Sequence, residues 1–185
     1  RMLCRKNYSL ISQICNVMKC FKNISAFLIM LCAVSSCIHE DPVSDEIKVG
    51  DAIPDFTVEM TDGSIVTGAS LREGVSLIMF FYSQCPDCQK TLPAVQKIYD
   101  EFLAKGVKFA IISREETSET IEPYWQECGY TMPYSPQPNR DVYHLFATIR
   151  VPRVYICKNG KVVNIYTDDP VPTYEDLSGD LYQLF

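Results

Sequence analysis

The stretch VSLIMFFYSQCPDCQKTLPAVQKIYDEF, residues 75–102, changes its hydrophobic period halfway along. Val75 to Tyr82 is an almost unbroken apolar run, the pattern of a central strand covered on both faces. Beyond it Leu92, Val95, Ile98, Tyr99 and Phe102 recur at helical spacing, while Gln89, Lys97, Asp100, Glu101 and Lys105 take the opposite face. The stretch predicts a buried strand that turns directly into an amphipathic helix, closed by Gly106. Cys85 and Cys88 fall at the turn between the two.

Reading outward, Val107 to Ser113 is a second apolar strand, and the order strand, helix, strand implies a right-handed parallel crossover. Glu119 to Cys128 and Asp141 to Ala147 read as further helices. Arg153 to Cys157 and Val162 to Tyr166 flank Lys158-Asn159-Gly160-Lys161, an Asn-Gly turn expected to close an antiparallel hairpin. Thr173 to Leu184 reads as a terminal helix. Upstream, Asp55 to Met60 and Ile65 to Thr67 surround Asp62-Gly63, so an N-terminal hairpin is expected as well. The whole is α/β: a mixed central sheet flanked by helices with an N-terminal β-hairpin extension, the layout of the thioredoxin fold.

The junction carries the chemistry. The first turn of a helix leaves backbone N–H groups without intrahelical partners, and the helix dipole adds positive charge there. A thiolate at Cys85 is stabilised by both, and a lowered thiol pKa raises the nucleophilic fraction at neutral pH. Pro86 suits an early helical position, where its missing N–H is no loss. Cys88, three residues on, returns to the same helix face and can attack a mixed disulfide formed at Cys85. Cys85 is thus the expected nucleophile and Cys88 the resolving thiol. Asp87 between them disfavours a nearby thiolate by like charge, which pushes the pair toward the reducing side. A half-built zinc site and a pair of plain core thiols are the competing readings. No second Cys pair or His pair sits at ligand spacing, so no metal is expected. No cofactor is expected beyond the Cys85–Cys88 disulfide. Val151-Pro152 stands between a predicted helix and the last hairpin; an X–Pro bond is cis in only about 5 % of cases, so Pro152 gains its meaning from that placement.

Taken together, Gly50-Asp51-Ala52-Ile53-Pro54-Asp55-Phe56, Thr61-Asp62-Gly63, Phe80 to Cys88, Leu92-Pro93, Val151-Pro152 and Lys158-Asn159-Gly160-Lys161 resemble the TlpA-like and ResA-like thiol-disulfide oxidoreductases of the thioredoxin superfamily. The resemblance covers Val49 to Phe185. It implies a cis-proline at Pro152 packed beside the dithiol, with Val151 offering backbone groups to an extended substrate. It also implies a membrane-tethered, monomeric reductase of exported protein disulfides, fed by an upstream membrane electron donor. Two positions depart from the family. Gln84 stands where Trp is usual, which alters the surface around the nucleophile. Thr91 stands where many relatives carry a buried Glu that assists proton transfer, so either another acid serves or the step is slower. A peroxiredoxin-like peroxidase shares the fold but needs a Thr three residues before its reactive Cys, and that position is Tyr82. A non-enzymatic thiol or metal-binding module is the third reading, weakened because no Met or His cluster lies near Cys85.

The chain has 185 residues and a formal charge of −6. Its first 36 residues hold five Lys or Arg and no acid; without them 12 basic residues face 23 acidic ones, a balance of −11. Such a surface repels phosphate, which excludes nucleic acid as a partner. Met18-Lys19 followed by the apolar run Ile24 to Val34 reads as a secretory signal, preceded by upstream residues. Val34-Ser35-Ser36-Cys37 resembles a bacterial lipobox, making Cys37 the expected lipidation site and the cell envelope, facing periplasm or exterior, the expected location. An ordinary signal peptide and a retained anchor are the alternatives. Residues 1–36 are thus assigned to leader, 37–48 to a polar acidic tether that includes His39, and 49–185 to the domain. Cys128 and Cys157 are expected as buried small apolar residues, His144 as a surface or packing residue, and Trp125, Tyr124, Tyr130 and Tyr134 as core packing.

Overall fold

The computed structural model describes residues 46–185, so the leader, Cys37 and most of the tether assigned from sequence lie outside the described residues. In chain order the elements are β1 (Thr57–Glu59), β2 (Ile65–Thr67), β3 (Val75–Phe81), α1 (Pro86–Phe102), β4 (Lys108–Ser113), α2 (Ser118–Cys128), α3 (Asp141–His144), β5 (Arg153–Lys158), β6 (Lys161–Tyr166) and α4 (Tyr174–Tyr182). The central sheet has the order β4-β3-β5-β6. β3 runs parallel to β4, with Ile78 opposite Ala110, and antiparallel to β5, with Ile78 opposite Tyr155. The mixed sheet expected from the α/β pattern is therefore present.

Every residue of β3 is buried. Successive strand side chains point to opposite faces, and the aromatic contacts show what covers each. Phe80 meets Tyr143 at 5.5 Å and Phe146 at 4.9 Å between ring centroids. Phe81 meets Trp125 at 5.1 Å and Tyr134 at 6.4 Å. Trp125 and Tyr134 are core residues, and the Trp125 indole N–H donates to the Met132 carbonyl at 2.9 Å. The apolar stripe of α1 buries Leu92, Val95, Ile98 and Phe102 as its spacing requires. A short 3-10 turn, Leu103–Lys105, follows before Gly106 reverses the chain at φ 87°.

Local signals account for the ends. Asn159 (φ 50°) and Gly160 (φ 78°) form the tight turn between β5 and β6. Thr173 and Asp176 make a reciprocal capping box at the start of α4. Two expectations change. The helix read over Asp141 to Ala147 is a single turn, Asp141–His144, after which Phe146 and Ala147 fold back under the sheet as buried residues. His144 is exposed on it. Cys128 is exposed rather than buried, because it is the last residue of α2 and Gly129 (φ 68°) turns the chain away immediately after it. Cys157 is buried in β5 and both are free thiols; burial pushes the Cys157 thiol up to about 12.

The N-terminal hairpin is a separate two-stranded sheet, held to the domain by the burial of Phe56, Val58 and Met60 in the core and by polar contacts. Ser135 Oγ donates to Glu59 O at 2.6 Å and the Thr61 N–H to Tyr134 O at 2.8 Å. Arg72 donates to Ile53 O at 3.0 Å and to the Asp55 carboxylate at 2.7 Å. Gly68 is the closest approach, since a Cβ there would lie 2.0 Å from Pro54 O. Gly68→Ala is expected to destabilise by about 1–3 kcal/mol through forced backbone shifts. Gly179 lies inside α4, and a Cβ added there would meet nothing within 4 Å. The opposite sign is expected at that position, with Gly179→Ala stabilising by about 0.5–1 kcal/mol. Denaturant midpoints of the two variants check both.

Candidate active site

β3 delivers the chain to Tyr82, Ser83 and Gln84, and Cys85 then caps α1 in an extended conformation (φ −81°, ψ 120°) with Pro86 in the first turn. Cys85 makes no side-chain bond to the helix end. Its thiol instead faces Val151, whose carbonyl oxygen accepts from Cys85 Sγ at 3.5 Å. The Val151–Pro152 peptide is cis, and both residues are buried. Because β5 runs antiparallel to β3, the start of β5 lies at the end of β3 that carries the cysteines. The topology thus brings Cys85, Cys88, Val151 and Pro152 together from positions more than sixty residues apart.

The two thiols differ in environment. Cys85 is partly exposed and Cys88 is fully buried. Burial pushes the Cys88 thiol well above its ordinary value, against a Tyr82 N–H that donates to its sulfur at 3.4 Å; the neighbouring Cys85 adds to the rise. A group with a raised folded-state pKa stays protonated through neutral pH, so Cys88 waits as a thiol while Cys85 meets solvent. Asp87 does not act as a lone acid, because the Lys90 ammonium lies 2.8 Å from its carboxylate. The like-charge effect on the dithiol expected from sequence is offset accordingly. Thr91 is buried, and its hydroxyl donates back to Asp87 O at 2.8 Å, as a helix-interior Thr commonly does.

A buried acid lies elsewhere. Glu116, only 4 % exposed, follows β4 and accepts from the Ser83 N–H at 2.6 Å and the Ser83 hydroxyl at 2.5 Å. Ser83 O in turn accepts from the Gln89 amide at 2.8 Å. The strand-to-helix turn is therefore braced from both sides, by Glu116 beneath and by α1 above. Ser113 Oγ accepts from the Glu116 N–H at 3.2 Å and so holds the acid in place. Beside it, the Arg114 guanidinium lies 5.3 Å from the Tyr82 ring centroid and 2.6 Å from Glu115. Arg140 bonds to Glu115 through two nitrogens and holds that carboxyl below the usual range. Sequence reading did not single out Glu116, which sits in the charged run Arg114-Glu115-Glu116 and carries no local sign of burial.

A groove of about 620 Å³ flanks the dithiol, lined by Gln84 and Gln89 on one side and by Thr120, Tyr124, Glu127 and the exposed Cys128 on the other. Among the described residues no cluster of His, Cys, Asp and Glu is arranged to hold a metal ion. The arrangement suits a thiol that opens to a partner beside a second thiol kept in reserve.

Residues 49–165 match the AhpC/TSA family. The thiol-disulfide oxidoreductase ResA of Oceanobacillus iheyensis is 29 % identical over 148 residues, covering 76 % of this chain and 77 % of that protein. A candidate protein disulfide isomerase of Bacteroides thetaiotaomicron, solved in solution, superposes with a TM-score of 0.66 at 27 % identity, covering 74 % and 87 % of the two chains. The thioredoxin domain of a Bacteroides vulgatus thiol-disulfide oxidoreductase, 19 % identical, shares the fold with a TM-score of 0.64 over 75 % and 98 %.

Two outcomes are expected. Brief alkylation of the native reduced protein at pH 7, mapped by mass spectrometry, modifies Cys85 and Cys128 and spares Cys88 and Cys157. Glu116→Ala strands a buried N–H and hydroxyl and lowers stability by about 1–3 kcal/mol, read from denaturant unfolding.

Proposed function

The chain belongs to the AhpC/TSA family, and from that premise we propose that it is a thiol-disulfide oxidoreductase working through Cys85 and Cys88. The observation that carries the reading is the asymmetry of the pair: a partly exposed Cys85 at the start of a helix beside a fully buried Cys88. In the forward direction the Cys85 thiolate attacks one sulfur of a partner disulfide. A Cys85–partner bond forms, the partner S–S bond breaks, and the departing thiolate takes up a proton. Cys88 then gives up its proton and attacks the Cys85 sulfur, releasing the second partner thiol. Two electrons have passed to the partner, and the protein is left as the Cys85–Cys88 disulfide. Val151 and Pro152 offer backbone against which an extended substrate aligns, with Pro86 and Asp87 forming the outer rim of the dithiol.

The finer reading is a membrane-tethered reductase of exported protein disulfides. It is supported by the signal-like segment and the lipobox resemblance ending at Cys37, and by the oxidoreductase names of the relatives. The proposed attachment is lipid at Cys37, on the strength of the lipobox resemblance; among the described residues no helix is long and apolar enough to cross a membrane. An upstream membrane dithiol donor resets the disulfide, and the protein acts as a monomer. A peroxidase reading draws on the family assignment alone, because Tyr82 occupies the position where that chemistry needs Thr.

Cys88→Ser is expected to accumulate a mixed disulfide at Cys85, and Cys85→Ser to lose exchange altogether, both followed on non-reducing gels with a model disulfide. Equilibration against glutathione is expected to give a potential near or below about −270 mV. A potential near about −120 mV would make the protein an oxidant, and hydrogen peroxide turnover by the native protein without disulfide exchange would establish the peroxidase instead.

A further inference from the structure

The groove beside the dithiol carries a charge pattern that the exchange chemistry does not use. One side of it is formed by Gln84 and Gln89, the residues immediately outside Cys85 and Cys88 in sequence, so the groove opens beside the dithiol turn. Its far wall is α2, which carries three carboxylates, Glu119, Glu122 and Glu127, and no Lys or Arg. Glu122 is engaged, accepting from the Gln126 amide at 2.9 Å and from the Tyr134 hydroxyl at 2.8 Å. Glu127 lines the groove and is exposed, and among the described residues it takes part in no ion pair. It also stands in the last turn of α2, where a carboxylate opposes the helix dipole and a Lys or Arg would serve the helix better. No Lys or Arg is among the groove's lining residues, and Lys90, next to Gln89 on α1, is committed to Asp87 at 2.8 Å. A carboxylate without an ion pair here stands against the helix's own preference, and departures from local rules cluster at functional sites.

We propose that this groove receives the side chain next to the reactive cysteine of the partner polypeptide and selects a basic one, lysine or arginine, through Glu127. The proposal rests on the dithiol reading above and adds the substrate's chemistry to it. The aliphatic stem of such a residue lies along the Tyr124 ring, the charged head reaches the Glu127 carboxylate, and the side-chain oxygens of Thr120 and Gln89 are further acceptors within the same lining. An acidic side chain in that place meets like charge from α2. Because the site is open to water, selection is modest and falls with ionic strength.

The test follows exchange between the reduced full-length protein and two peptide disulfides that differ only in carrying Lys or Glu on both sides of the cysteine. The readout is the ratio of the two rates at low salt. A preference of about two- to fivefold for the lysine peptide is expected for an exposed pair, shrinking at high salt, collapsing toward one in Glu127→Gln and inverting in Glu127→Lys. A ratio near one in the native protein, or a ratio that Glu127→Gln leaves unchanged, overturns the inference while leaving the dithiol reading intact. Exchange with neither peptide overturns the dithiol reading and this inference with it.

Discussion

A strand whose side chains are all removed from water has to be roofed on both faces, and β3 meets that requirement with aromatic residues drawn from distant parts of the chain. Phe80 is covered from Tyr143 and Phe146, and Phe81 from Trp125 and Tyr134. Once β3 is central, β4 and β5 must flank it, and the antiparallel run of β5 then places Val151-Pro152 at the same end as Cys85. The site is a consequence of that packing. It lies where the buried strand runs out of apolar residues and the chain must turn polar within three positions, Tyr82 to Gln84.

That turn is a place of conflict between burial and hydrogen bonding. Ser83 is wholly buried, so its N–H, hydroxyl and carbonyl all require partners inside the protein. Glu116 satisfies the first two and Gln89 the third. A carboxylate in this position is held by charge-assisted bonds that are stronger than neutral ones. The brace fixes the backbone on which Tyr82 donates to Cys88 and from which Cys85 projects.

Most of the architecture was legible because period and turn chemistry are local. The apolar run of β3, the stripe Leu92-Val95-Ile98-Phe102 and the Asn159-Gly160 turn each declare their element within a few residues, as does the pairing of Cys85 with Cys88 at a strand-to-helix junction. What escaped depends on contacts across the fold. Glu116 is 33 residues from Ser83, and nothing in its own neighbourhood distinguishes it from a solvated loop acid. The helix read over Asp141 to Ala147 stops early because Phe146 and Ala147 are drawn under the sheet, a tertiary demand that overrides the local pattern. Cys128 was misjudged for the converse reason: a residue type that is usually hidden ends a helix whose exit faces water.

Trp125 is the single tryptophan of the chain, and it lies 4 % exposed behind the reactive turn, in ring contact with Phe81, Tyr130 and Tyr134 at 5.1, 5.1 and 4.7 Å. All indole emission from this protein therefore originates at one address, the aromatic packing on the last residue of β3, with two phenols close enough to pass it their excitation. The molecule is its own optical probe: wavelength registers whether water has reached that packing, and intensity registers whether the aromatic stack at the end of β3 is intact.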